Sequence, residues 1–120
     1  MREIMNSTNL KLNAITDELS RSTKYILGDK LRKIILYGSY ARGDYNEYSD
    51  VDIMVLADFN ENEHSELQTK VCKIASRASL NHDITVCISL NNETLFMSRL
   101  DISPYYQNVI SEGVRLYETE

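Results

Sequence analysis

Asp50 and Asp52 stand two residues apart at the head of an apolar run, Val51 to Leu56. In a strand, residues i and i+2 project from one face, so both carboxylates point the same way. Like charges that close raise each other's cost of ionisation, and a fold selected for stability alone gains nothing from such a pair beside a central strand. A divalent cation resolves the conflict. Mg²⁺ is hard, takes oxygen ligands, and is commonly held by one or two carboxylates together with substrate phosphates. Asp83 opens a third strand-like run on its less apolar face. If that strand lies beside Val51 to Leu56, three carboxylates meet. Three can hold two metals about 3.5–4 Å apart, which suits in-line displacement at phosphorus.

Upstream, Gly38-Ser39 sits where an apolar strand gives way to a short Ser-Tyr-Ala-Arg turn. Glycine lets backbone approach a ligand closely, and free amides at the start of a helical turn attract phosphate. The Ser39 hydroxyl adds a donor. Arg42, one helical turn on, can reach a phosphate oxygen or pair with Asp44 or Glu47.

These residues need a scaffold, and the apolar periodicity supplies one. Leu12, Ile15, Leu19 and Ile26 recur at near-helical spacing in Asn9 to Leu27, an amphipathic helix that Gly28-Asp29 stops. Lys33 to Tyr37 and Val51 to Leu56 are apolar on both faces, the mark of central strands with cover on each side. Leu67, Val71, Ile74, Ala75 and Ala78 mark a second long helix. Asp83 to Ile88 alternates, with Ile84, Val86 and Ile88 facing one way and Asp83, Thr85 and Cys87 the other. A short helix after Asn92, a helix from Tyr105 to Ser111 stopped by Gly113, and Val114 to Tyr117 as closing strand or coil complete the chain. The expected fold is α/β (α+β), a small mixed sheet flanked by helices.

The run from Gly38 to Asp52 also resembles a known signature. Gly-Ser, ten residues, then Asp-x-Asp is similar to the motif of the DNA-polymerase-beta-type nucleotidyltransferase superfamily. The inner Ala41-Arg42-Gly43 and Ser49-Asp50, and the ending Glu112-Gly113-Val114-Arg115-Leu116-Tyr117, resemble its minimal nucleotidyltransferase branch. The resemblance implies one domain over 1–120, with an N-terminal helix at about 9–27 and a catalytic core at about 33–117. It implies that Gly38 and Ser39 bind the β- and γ-phosphates of ATP, that Asp50 and Asp52 hold two Mg²⁺ ions, and that Asp83 completes the catalytic metal site. Chains of this branch commonly act as antitoxins that transfer AMP from ATP to a tyrosine hydroxyl of a partner toxin of the HEPN ribonuclease type.

Composition sets the bounds. At 120 residues the chain is the size of one domain, too small for a deep cleft between two lobes. A net charge of -5, with lysine and arginine scattered among acids, argues against nucleic acid as the main partner. No signal peptide or membrane-length apolar run occurs, which points to the cytoplasm. Cys72 and Cys87 lack metal-ligand spacing and read as small buried hydrophobes. His64 and His82 read as surface residues, and Ser49 as a turn residue. Tyr37, Tyr105 and Tyr106 read as core or interface, with Tyr40, Tyr45 and Tyr48 along the loop. Two other functions fit the same chain. One is a non-enzymatic antitoxin that masks its partner, which the intact aspartates argue against. The other is a transferase for a small hydroxylated molecule of the aminoglycoside kind, which the missing second lobe argues against.

Overall fold

The computed structural model describes residues 9–119; the first eight residues and the last of the expected domain span lie outside the described residues. Asn9 caps the first helix by accepting the Leu12 amide at 2.9 Å, which satisfies one of the amides a helix start leaves without a partner. Helix α1 then runs Leu10–Leu27 and buries Leu12, Ile15 and Leu19. Ile26 is more exposed than its spacing suggested, because it falls off the stripe those three define. Gly28 ends the helix at φ 53°, and a short 3-10 turn leads into strand β1, Leu31–Tyr37.

After β1 come helix α2 (Ser39–Arg42), strand β2 (Val51–Ala57), helix α3 (His64–His82) and strand β3 (Val86–Asn92). Helices α4 (Glu93–Ser98) and α5 (Pro104–Glu112) precede strand β4 (Val114–Glu118). The strands form one mixed sheet in the order β3-β2-β1-β4. β1 is antiparallel to both β2 and β4, and β2 is parallel to β3. Parallel neighbours need a crossover, and α3 is that crossover. The two strands apolar on both faces are the two central ones, as their composition predicted.

One face of the sheet carries Ile34, Leu36, Ile53 and Val55 against α1 and α3. The other carries Ile35, Met54 and Leu56 against Phe96 of α4 and Val109 of α5. Ser103 caps α5 by accepting the Tyr106 amide at 3.2 Å, and Pro104 takes the first turn, where its missing N–H costs nothing. Val114 to Tyr117, left open between strand and coil by the sequence, pairs along β1.

Candidate active site

The site is a row of residues across three strands. Tyr37 of β1 pairs with Asp52 of β2, and Asp52 pairs with Cys87 of β3. Side chains alternate along a strand, so Asp52 shares the face of Met54, the one that α4 and α5 cover. Asp52 lies at the end of that face, half-buried. Asp50 precedes the strand and is exposed. Burial and the neighbouring Asp50 charge raise the Asp52 carboxyl above its ordinary value, and Arg42 pulls it back down. The repulsion inferred from spacing is present in the fold.

Gly38 joins this row from the other side. It holds φ 77° and ψ -158°, a conformation open in practice only to glycine. A Cβ at this position would lie 2.5 Å from Oδ2 of Asp52. The absent side chain is therefore the space that the Asp52 carboxylate occupies. Ser39 begins α2, whose first amides have no carbonyl within that turn to bond. The Gly38 carbonyl accepts the Ala41 and Arg42 amides at 3.1 Å each, which turns the chain tightly above the carboxylate pair.

The loop from Gly43 to Ser49 is tied down at both ends. Tyr40 stacks on Tyr45 with centroids 4.3 Å apart, and the Asn9 amide donates to the Tyr45 hydroxyl at 3.3 Å. Just before Asp50, the Asn46 amide donates to Ser49 Oγ at 2.9 Å and the Tyr48 amide to Asn46 Oδ1 at 2.8 Å. Ser49 is thus the turn residue it read as, immediately ahead of Asp50. Arg42 pairs with Asp44 at 3.1 Å and with Glu112 at 3.5 Å, so the loop is also bridged to the end of α5. Tyr48 is 85% exposed and stands free of the Tyr40–Tyr45 stack.

Asp83 is placed differently from the expectation. It does not open β3, which begins at Val86. It caps α3 in the left-handed region at φ 52° and ψ 49°, its amide donating to the Ser79 carbonyl. Aspartate tolerates that conformation better than most residues, and α3 runs on through Asn81-His82 to use it. The structure brings Gly38, Ser39, Arg42, Asp50 and Asp52 together, and it places Asp83 at the end of α3, ahead of β3. Among the described residues no three of His, Cys, Asp and Glu are gathered as a ready-made metal cage. Asp50 and Asp52 nonetheless match the one or two protein carboxylates that Mg²⁺ typically takes, with water and phosphate filling the rest.

Three features escaped the sequence reading. Cys87 and Cys72 are exposed rather than buried. Cys87 takes the strand position beside Asp52, and the thiol is raised by partial desolvation and by the charges of Asp50 and Asp52. The Tyr37 and Tyr105 hydroxyls share a hydrogen bond of 2.9 Å. Burial, Tyr105 and the Asp52 charge together push Tyr37 far above the usual phenol range. A signal for Cys87 existed, since strand alternation put it on the same face as Asp83.

Known proteins resemble the chain in sequence and in fold. The nucleotidyltransferase domain family matches residues 16–115. Two relatives from Methanocaldococcus jannaschii are named as candidate protein adenylyltransferases. MJ0141 is 40% identical over 92 residues, spanning 77% of this chain and 91% of its own length. MJ0604 is 36% identical over 88 residues, spanning 73% and 80%. Among solved structures, a tyrosine-to-alanine mutant of the toxin–antitoxin MntA-HpeT superposes with a TM-score of 0.51 at 26% identity, over 93% of this chain and 76% of that one. A toxin–antitoxin structure with AMP-PNP gives a TM-score of 0.54 at 24% identity, over 88% and 74%, a likeness of fold.

Proposed function

This chain belongs to the nucleotidyltransferase domain family, and we propose that it transfers AMP from ATP to a tyrosine hydroxyl of a partner protein, a toxin of the HEPN type. The observation that carries the reading is the fit of Gly38 over Asp52, with Asp50 beside it and α2 starting above. In that arrangement the Ser39 turn receives the β- and γ-phosphates, and Arg42 neutralises charge at its edge once it leaves Asp44 or Glu112. Asp50 and Asp52 hold Mg²⁺. The ion supplies charge neutralisation on the triphosphate and acidifies the attacking hydroxyl.

The reaction balances simply. The acceptor oxygen forms a bond to the α-phosphorus, the bond from that phosphorus to the bridging oxygen breaks, and pyrophosphate leaves. The acceptor proton passes to a carboxylate oxygen of the site. Catalysis is mostly positioning and preorganised electrostatics, which a small rigid sheet provides. In this reading the acceptor hydroxyl comes from a separate molecule, and the exposed Asp50 beside the half-buried Asp52 leaves the row open to one. A protein acceptor meets that requirement. The names of the Methanocaldococcus relatives support protein adenylylation, and the toxin–antitoxin relatives support a toxin as the partner. A masking antitoxin would have no use for the glycine that keeps Asp52 clear.

Intact-mass measurement of a HEPN-type partner, after incubation with this protein, ATP and Mg²⁺, tests the reading. A gain of one or more AMP units that maps to tyrosine supports it. An unmodified partner in a stable complex would contradict it.

A further inference from the structure

We propose that the groove between α1 and α3 docks an acidic amphipathic helix of a partner protein. These two helices cover one face of the sheet, and Asp52 lies on the other. A partner seated in the groove leaves the carboxylate pair uncovered.

Two helical stripes build the groove. On α3, Lys70, Lys73, Ile74 and Arg77 stand at i, i+3, i+4 and i+7, which is one face of a helix. On α1, Arg21 and Tyr25 stand one turn apart, with Ile26 beside them. Between the stripes is a cavity of about 440 Å³, open to solvent. Helix α1 already buries Leu12, Ile15 and Leu19, yet Tyr25 remains 88% exposed and Ile26 37%. They are apolar surface that the chain's own core does not use. The α3 stripe is about 10 Å long, room for two turns of a helix laid in the groove on apolar anchors.

Charge selects the occupant. The chain carries a net charge of -5, but this groove is lined by four cations and one acid, Glu18. Glu18 is already engaged, 3.2 Å from Nε2 of His82. Arg21 pairs with Asp17 and Lys70 with Glu66, exposed pairs within one helix that are worth little and readily exchanged. Lys73 and Arg77 make no ion pair among the described residues. An acidic segment supplies the carboxylates that these cations lack. Nucleic acid fits less well, because the cations form one short stripe that Tyr25 and Ile26 flank. The rest of the chain is acidic and repels phosphate.

Fluorescence anisotropy tests this with a labelled helical peptide about four turns long, leucine along one stripe and glutamate on its other faces. The whole chain is expected to bind it, and to bind it more weakly as salt is raised. The same peptide with lysine for glutamate is expected not to bind. Lys73→Glu/Arg77→Glu should weaken binding about tenfold or more, and Tyr25→Ala should weaken it with an unchanged salt dependence. All three positions are exposed, so both variants should melt with the parent by circular dichroism. Asp50→Asn/Asp52→Asn should bind the peptide as the parent does, whatever becomes of transfer; loss of binding there would overturn the groove as the site. So would a parent that ignores the acidic peptide, equal binding by the charge-reversed variant, or equal binding of the lysine peptide. Tighter binding of a thymidine oligonucleotide, lost in the charge-reversed variant, would overturn the proposal in favour of nucleic acid.

Discussion

A Cβ on Gly38 would meet Oδ2 of Asp52 at 2.5 Å, so the glycine that opens the α2 turn is also what lets the carboxylate stand where it does. The two halves of the sequence signature, Gly-Ser and Asp-x-Asp, are in contact through a missing side chain. That contact makes the spacing between them a geometric requirement.

Gly38→Ala should accordingly damage the site more than the fold. The backbone conformation costs alanine about 1–3 kcal/mol, and the new methyl group drives Asp52 out of line. A displacement of about 1 Å is enough to cost about 100-fold in rate. We expect a chain that still melts cooperatively, with a lower midpoint, but transfers at least that much more slowly. Transfer at the parental rate would mean that Asp52 has room to move without consequence.

Asp52→Asn separates charge from shape. Burial and Asp50 raise the Asp52 carboxyl, so between its ordinary and its raised value the folded chain holds a proton that the unfolded chain has released. The contribution of this one group to the stability of the metal-free protein is fully present below the ordinary carboxylate range and is lost as pH rises through the raised value. Asparagine removes that decline. In EDTA at neutral pH the variant should be as stable as the parent or more so, while being inactive. A clearly lower melting temperature would reveal a structural partner for Asp52.

Gly113 is a matter of packing alone. Its φ of -68° suits any residue, yet a Cβ would lie 2.3 Å from the Val109 carbonyl and 2.5 Å from Cγ2 of Ile35. Overpacking of this kind typically costs about 1–3 kcal/mol. Urea unfolding of Gly113→Ala should show a lower midpoint at an unchanged m-value. An unchanged midpoint would mean that the end of α5 can slide on β1.

Glu63 offers the opposite pH behaviour from Asp52. Its pairing with Lys30 and its acceptance of the Asn60 amide hold the carboxyl below its ordinary value. The stabilisation is present above the ordinary value and is lost as pH falls through the lowered one. Glu63→Gln should be less stable than the parent near neutrality and converge with it at acid pH. Parallel curves across that range would remove the charge from the account of this cap.

Much of this was legible in the residues. Runs apolar on both faces and period-3.6 patterns gave the two central strands and both long helices, because burial on two faces or on one dictates those patterns directly. The carboxylate pair and the glycine turn were legible from type and spacing. The secondary structure at Asp83 was not, because a residue at a helix–strand junction obeys two patterns at once. Its alternation with Thr85 and Cys87 continues past the strand, while the helix runs on through Asn81-His82 to a left-handed cap. Tertiary placement decided between them. Cys72 and Cys87 were misread as buried for a related reason, since an apolar type near an apolar stripe does not fix which side of it the residue takes. The bond between Tyr37 and Tyr105 joins residues 68 apart in sequence, and no local signal marks it.

The most direct test of the account uses two labels. The chain and a HEPN-type partner are incubated with Mg²⁺ and ATP labelled at either the α- or the γ-phosphorus, with Asp50→Asn/Asp52→Asn as control. Nucleotidyl transfer puts label on the partner from the α position only, and none with the control. Label from the γ position, or α label that persists in the control, would contradict the role given to Asp50 and Asp52.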